Sequence, residues 1–102
     1  MKKKIAGLIQ VETKMPPIVE LDSEAHAAYV RVSRNKVART ELIDDRKCIV
    51  TIDRDKNGDP VGIELVGVSE FGIQSLLQIA SVRLPKKDIE QARYIPADLK
   101  AA

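Results

Sequence analysis

Aromatic side chains are scarce in this chain: Tyr29, Phe71 and Tyr94 are the only ones in 102 residues, and there is no tryptophan. Any core must therefore be filled by Ile, Val, Leu and Ala. Cysteine is scarcer still. Cys48 stands alone, which excludes an internal disulfide and fits a reducing, cytoplasmic compartment. It lies in the run Lys47-Cys48-Ile49-Val50, where a buried small hydrophobe is the expected role rather than an activated thiol. His26 is the only histidine, so it has no second His or Cys with which to build a zinc site, and it reads as a surface turn residue. An excess of charge is also lacking. The 17 basic and 15 acidic side chains leave a net +2, too balanced to indicate a nucleic-acid or membrane partner. No apolar run reaches transmembrane length. Lys2-Lys3-Lys4 imitates the start of a signal peptide, but the apolar stretch after it runs into Gln10, Glu12 and Lys14 without a cleavage site, so secretion is not expected. The chain has no Gly-rich phosphate loop, paired-cysteine motif or G-x-S-x-G, and catalysis has no positive support. No enzyme activity, cofactor or metal is expected.

What is present suffices for one domain. Hydrophobic residues make up 44% and charged residues 31%, enough to fold with a modest core. Residues 1–17 form an N-terminal arm ending at Pro16-Pro17, which cannot continue regular structure. Residues 18–82 carry strand patterns followed by a helix, and residues 83–102 form a short helix and tail. Ile18 to Leu21 is a short strand. Asp22 to Ala27 turns, with a helical half-turn at its end. Ala28 to Ser33 alternates strictly, with Ala28, Val30 and Val32 on one face and Tyr29, Arg31 and Ser33 on the other. Arg34-Asn35-Lys36 reads as a tight connection to a strand at Val37 to Ile43. Further strands follow at Lys47 to Asp53 and Pro60 to Val66, the last with Val61, Ile63 and Leu65 inward. Then the period changes. Ile73, Leu76, Leu77 and Ala80 follow helical spacing behind a Ser69 cap. Pro85 suits the first turn of a second helix to Tyr94. The expected fold is α+β: a four- or five-stranded antiparallel β-meander covered by the 69–82 helix, with a short C-terminal helix.

Two stretches carry a resemblance. Glu24-Ala25-His26-Ala27-Ala28-Tyr29-Val30-Arg31-Val32-Ser33 is similar to an E-A-D-A-x-Y-I-R-L-S stretch. Asp53-Arg54-Asp55-Lys56-Asn57-Gly58-Asp59-Pro60-Val61-Gly62-Ile63-Glu64-Leu65 is similar to D-x-D-x-x-G-x-x-V-G-I-E-I. Residues 18–66 thereby resemble a family of small prokaryotic domains of unknown function. Here His26 replaces an acid and Ala28 a larger apolar residue. The resemblance implies a small β-rich fold. Some members look like the second gene of a toxin–antitoxin-like pair, which implies an antitoxin-like, protein-binding role. It implies no catalytic residues.

Asp53-x-Asp55-x-Asn57-Gly58-x5-Glu64 matches a calcium-loop pattern at its ligand positions. Both flanks read as strands, however, and a Glu six residues past the Gly on an extended strand lies roughly 20 Å away. A hairpin loop with Gly58 at positive φ is expected instead, binding calcium no better than millimolar.

Arg31, Arg34, Lys36 and Arg39 form a basic cluster that could serve a nucleic-acid-binding strand pair. Glu41, Asp44 and Asp45 dilute it, and a charge-protected sheet edge is the competing account. The outward face should hold Tyr29, Arg31, Thr51, Gly62 and Glu64, with Tyr29 over Gly62 and Arg31 paired to Glu64. A rigid Tyr and Arg there would anchor a protein partner through Tyr29, Arg31, Thr51 and Glu64.

The favoured function is non-catalytic protein binding, to a small partner protein or to itself. The alternative is nucleic-acid binding through residues 31–39, and an enzyme comes third. A homodimer is expected on two grounds. Ile18-Leu21 protects a sheet edge poorly, and one helix leaves apolar surface among Ile49, Val66, Val68, Phe71 and Val82 for the arm or a second copy to cover.

Overall fold

Strands form where apolar residues alternate, and a helix forms where the spacing shifts to three and four. In the computed structural model, which describes residues 9–96, the elements are β1 (Ile9–Gln10), β2 (Ile18–Asp22), β3 (Ala27–Arg31), β4 (Arg39–Asp44), β5 (Ile49–Arg54), β6 (Pro60–Val66), α1 (Ile73–Ala80), β7 (Val82–Arg83), α2 (Lys86–Glu90) and β8 (Arg93–Pro96). Expectations for residues 1–8 and 97–102 fall outside that span. The class is α+β, with a mostly antiparallel sheet and two helices.

The topology departs from a simple meander. Six strands lie in the order β4-β5-β6-β3-β2-β8. The β2–β3 hairpin and the β4–β5–β6 meander are joined through an antiparallel β3–β6 pair. The segment after β3 is therefore a crossing, not a tight turn. The N–H groups of Val32 and Ser33 both donate to the Val61 carbonyl, at 2.9 and 3.2 Å, and carry the chain past β6. Burial explains the choice. β6 offers Val61, Ile63 and Leu65, all at most 1% exposed, and suits the middle of the sheet. Arg39-Thr40-Glu41 is polar and suits an edge.

The helices also differ from expectation. α1 starts at Ile73, after an extended Gly72, with no cap from its own segment's side chains. Ser69 does not cap it. The Ile73 N–H instead donates to the Tyr94 hydroxyl at 2.9 Å, so a side chain from β8 satisfies one of the orphan donors of the helix start. Ser81 ends α1 in the left-handed region at φ 58°, and its N–H donates to the Leu77 and Gln78 carbonyls. The second helix is only five residues long. The rest of its expected span becomes β8, because Tyr94 and Ile95 favour extended backbone and β2 has a free edge for them. β8 pairs with β2 in parallel, Ile18 opposite Arg93 through Leu21 opposite Pro96. The edge expected to be open at Ile18–Leu21 is thus closed.

The described part of the arm docks as well. Ile9 and Gln10 pair in parallel with Val82 and Arg83, and Val11 is buried. Of the apolar group expected to need cover, Val68 and Val82 are buried and Phe71 and Val66 half-buried, while Ile49 stays 49% exposed. The core gathers Val19, Ala28, Val30, Val50, Ile52, Ile63 and Leu65 from one sheet face. Ile73, Leu76, Leu77 and Ala80 of α1 cover them. Among the described residues no helix is long and apolar enough to cross a membrane.

Candidate functional site

α1, the described part of the arm and α2 lie with the core, and among the described residues no element packs on the opposite sheet face. Alternation decides what that face displays. In one row, Glu20 of β2 stands opposite Tyr29 of β3, Tyr29 opposite Glu64 of β6, Glu64 opposite Thr51 of β5, and Thr51 opposite Leu42 of β4. In the next row Arg31 stands opposite Gly62, Gly62 opposite Asp53, and Asp53 opposite Thr40. The structure thus brings Tyr29, Arg31, Thr51 and Glu64 onto one face.

Tyr29 is the centre of this arrangement. Its ring covers Gly62, so that a β-carbon at Gly62 would collide with the Tyr29 Cζ, Oη and Cε2 atoms. This is cross-strand cover of a glycine that would otherwise expose backbone. The hydroxyl donates to Asp53 Oδ2 at 2.8 Å, and the other Asp53 oxygen accepts from the Thr40 hydroxyl at 2.6 Å. The Arg31 guanidinium carbon lies 5.1 Å from the ring centroid, within cation–π range. Burial, and then the Asp53 carboxylate beside it, push the Tyr29 phenol well above its ordinary value, so the hydroxyl stays a proton donor at neutral pH.

Arg31 does not pair with Glu64. Its Nε donates to Glu20 Oε2 at 3.3 Å. The register gives the reason: Gly62 lies opposite Arg31, while Glu64 lies opposite Tyr29. Glu20 and Asp53 are members of this face that the sequence pattern did not single out for it. Strand register could have found Glu20. Asp53 was hidden by the calcium motif. Around Tyr29 the face forms a shallow depression of about 380 Å³, lined by Glu20, Asp22, Asp53 and Glu64, with Arg31 and Val37 at its sides. Leu42 at 59%, Ile49 at 49% and Val37 at 42% are its exposed large apolar neighbours.

The calcium-type motif folds as a hairpin loop between β5 and β6. Asp55 is buried and turned into the loop. Its Oδ1 accepts the N–H groups of Asn57 and Asp59, each at 2.9 Å, and its Oδ2 accepts the Asn35 side-chain amide at 2.9 Å. The Asn35 contact, followed by the loop N–H groups, holds the Asp55 carboxyl below the usual carboxylate range. Gly58 sits at φ +88°, which only glycine adopts readily. Asp53 points to Tyr29 and Thr40, and Glu64 stands on the strand, so the motif's carboxylates do not converge. Among the described residues no group of three His, Cys, Asp or Glu side chains is placed to hold a metal.

The basic residues do not form a strand pair. Arg31 ends β3, Arg34 and Lys36 lie in the crossing segment, and Arg39 begins β4, with β6 and β5 between the two strands. Arg39 and Arg54 both reach Glu41, at 3.4 and 2.8 Å. Cys48 is buried in the core cluster, and burial raises its thiol above the ordinary value. His26 is exposed in the left-handed region at φ 53°. Its carbonyl accepts the N–H groups of Gly67 and Val68 at 2.7 and 2.9 Å, a backbone role.

The profile of a family described as Protein of unknown function (DUF2283) matches residues 18–69. No curated protein and no solved structure matches the chain. The match covers β2 to β6 and thus almost all of the face around Tyr29.

Proposed function

We propose, on the premise that the chain belongs to the DUF2283 family of proteins of unknown function, that it is a non-catalytic protein-binding domain that engages its partner through the uncovered sheet face. One observation carries this reading. Tyr29 is clamped in place on an open face, by Gly62 below, Asp53 at its hydroxyl and Arg31 beside it. A tyrosine and an arginine held rigid before contact lose little conformational entropy on binding, and such residues dominate interface energetics. Exposed Leu42 and Ile49 on the same side supply apolar contact. An antitoxin-like role, in which the domain holds a small partner protein, agrees with this arrangement.

The reading does not depend on a homodimer. β8 closes one edge and the arm covers part of the core, so both original grounds for self-association are weaker. Among the described residues the edge without a neighbouring strand is β4.

Copurification of the tagged full chain from its host tests the reading. Thr51→Arg and Leu42→Arg should release a partner that the wild-type chain and Gln78→Arg, an exposed change on α1, both retain. A partner retained by both face variants and lost with Gln78→Arg would contradict it.

A further inference from the structure

The sign of the charge on this face narrows the kind of partner. The depression around Tyr29 is lined by four carboxylates, those of Glu20, Asp22, Asp53 and Glu64, against the single guanidinium of Arg31. That guanidinium is already held by Glu20 and the Tyr29 ring. The whole chain carries a net +2, so the face has the opposite sign to the molecule that bears it. Three exposed apolar side chains, Val37, Leu42 and Ile49, stand on or beside the same surface.

We infer that the face is built for a basic, partly apolar segment of a different protein, one that places lysine or arginine beside aliphatic side chains. This rests on the reading that the face binds protein. A neutral or acidic occupant would remove the carboxylates of Asp22, Asp53 and Glu64 from water without a counter-charge beyond the Arg31 that Glu20 already holds, which is costly. A second copy fits poorly for the same reason. A two-fold dimer through this face sets the same patch against itself, so acid would meet acid, and like charges across an interface disfavour it. Nucleic acid would bring phosphates to carboxylates and is repelled. A basic segment neutralises the acids and lays its aliphatic side chains against Leu42 and Ile49.

The test uses the full chain and three synthetic peptides of one length: alternating lysine and valine, alternating threonine and valine, and alternating glutamate and valine. Backbone amide shifts are followed by NMR. The lysine peptide should shift residues of β3, β5 and β6 and bind at least about tenfold more tightly than the threonine peptide, with affinity falling as salt screens the pairing. Glu64→Lys should weaken it by about tenfold, and Glu64→Gln by less, at a position exposed enough to leave the fold intact. Equal binding of the threonine and lysine peptides on these strands would overturn the charge inference and leave the protein-binding reading standing. Tighter binding of the glutamate peptide there would do the same. If no peptide of any charge perturbs the face, both fall.

Discussion

Gly62→Ala is the substitution that the account of Tyr29 constrains most tightly. The added methyl would occupy space now filled by the ring, and the molecule has two responses. If the ring leaves, the hydrogen bond to the Asp53 carboxylate is lost, worth roughly 1.5–3 kcal/mol for a charged acceptor, together with about 0.5–1 kcal/mol of Arg31 stacking. If the ring stays, the strands must shift, an overpacking cost of about 1–3 kcal/mol. Alanine in a strand returns about 0.5–1 kcal/mol relative to glycine. The cheaper route is overpacking, and it leaves a net loss between about 0 and 2.5 kcal/mol. Urea unfolding of four proteins measures it: wild type, Gly62→Ala, Tyr29→Ala and the double variant. With the ring absent, Gly62→Ala should be neutral or stabilising, so the cycle should give a coupling equal to the overpacking cost, about 1–3 kcal/mol. Additivity across the cycle would refute the claim that the ring is seated on this glycine.

Other outcomes follow from the same contacts. The Tyr29 phenol is held above its unfolded value, so the folded chain keeps a proton that the unfolded chain releases. The stability this gives is complete below about pH 10 and is lost as pH rises above it; Tyr29→Phe should flatten that alkaline slope in denaturation curves, and an unchanged slope would count against the contact. The Asp55 carboxyl is depressed, so its contribution is present above the ordinary carboxylate value and lost as pH falls below it through the depressed folded value; Asp55→Ala should cost more stability at pH 7 than at pH 3. Calorimetry should detect no calcium binding tighter than millimolar, because the Asp55 oxygens are taken by N–H groups and Asp53 and Glu64 point elsewhere; micromolar affinity abolished by Asp53→Ala would contradict the loop geometry. Binding to RNA or DNA at physiological salt should be weak; a tight, salt-dependent complex weakened by Arg34→Ala and Arg39→Ala would reassign the chain to nucleic acid.

β2, β3, β5 and β6 were largely legible because each is short and alternating, but Ser33, expected on the outward face, is buried past the end of β3, and β4 starts at Arg39 rather than Val37. Pro60 to Val66 needed only Val61, Ile63 and Leu65 to set its bounds and inward side, and both are as expected. The cover of Gly62 by Tyr29, which comes from the diagonal position with Arg31 directly opposite, was legible too, since a glycine in a strand calls for a large side chain on the neighbouring strand. Strand order was not. Pairing between β3 and β6 is set by which strands can bury both neighbours, a global property, whereas Arg34-Asn35-Lys36 has the local chemistry of a turn. β8 was missed because a four-residue strand has too little pattern to compete with the Pro85 helix signal. The face was half legible for the same reason: Tyr29, Arg31, Thr51 and Glu64 lie on it as expected, but Glu20 becomes the partner of Arg31 only once the register is known.

A photo-crosslinking residue placed at single positions of the full chain in its host tests the central claim most directly. From Thr51 or Leu42, on the uncovered face, the account predicts crosslinks to one discrete protein of basic character. From Gln78, on the exposed side of α1, it predicts none. The same crosslinked species from Gln78, with none from Thr51 and Leu42, would contradict the assignment of the binding site to the Tyr29 face.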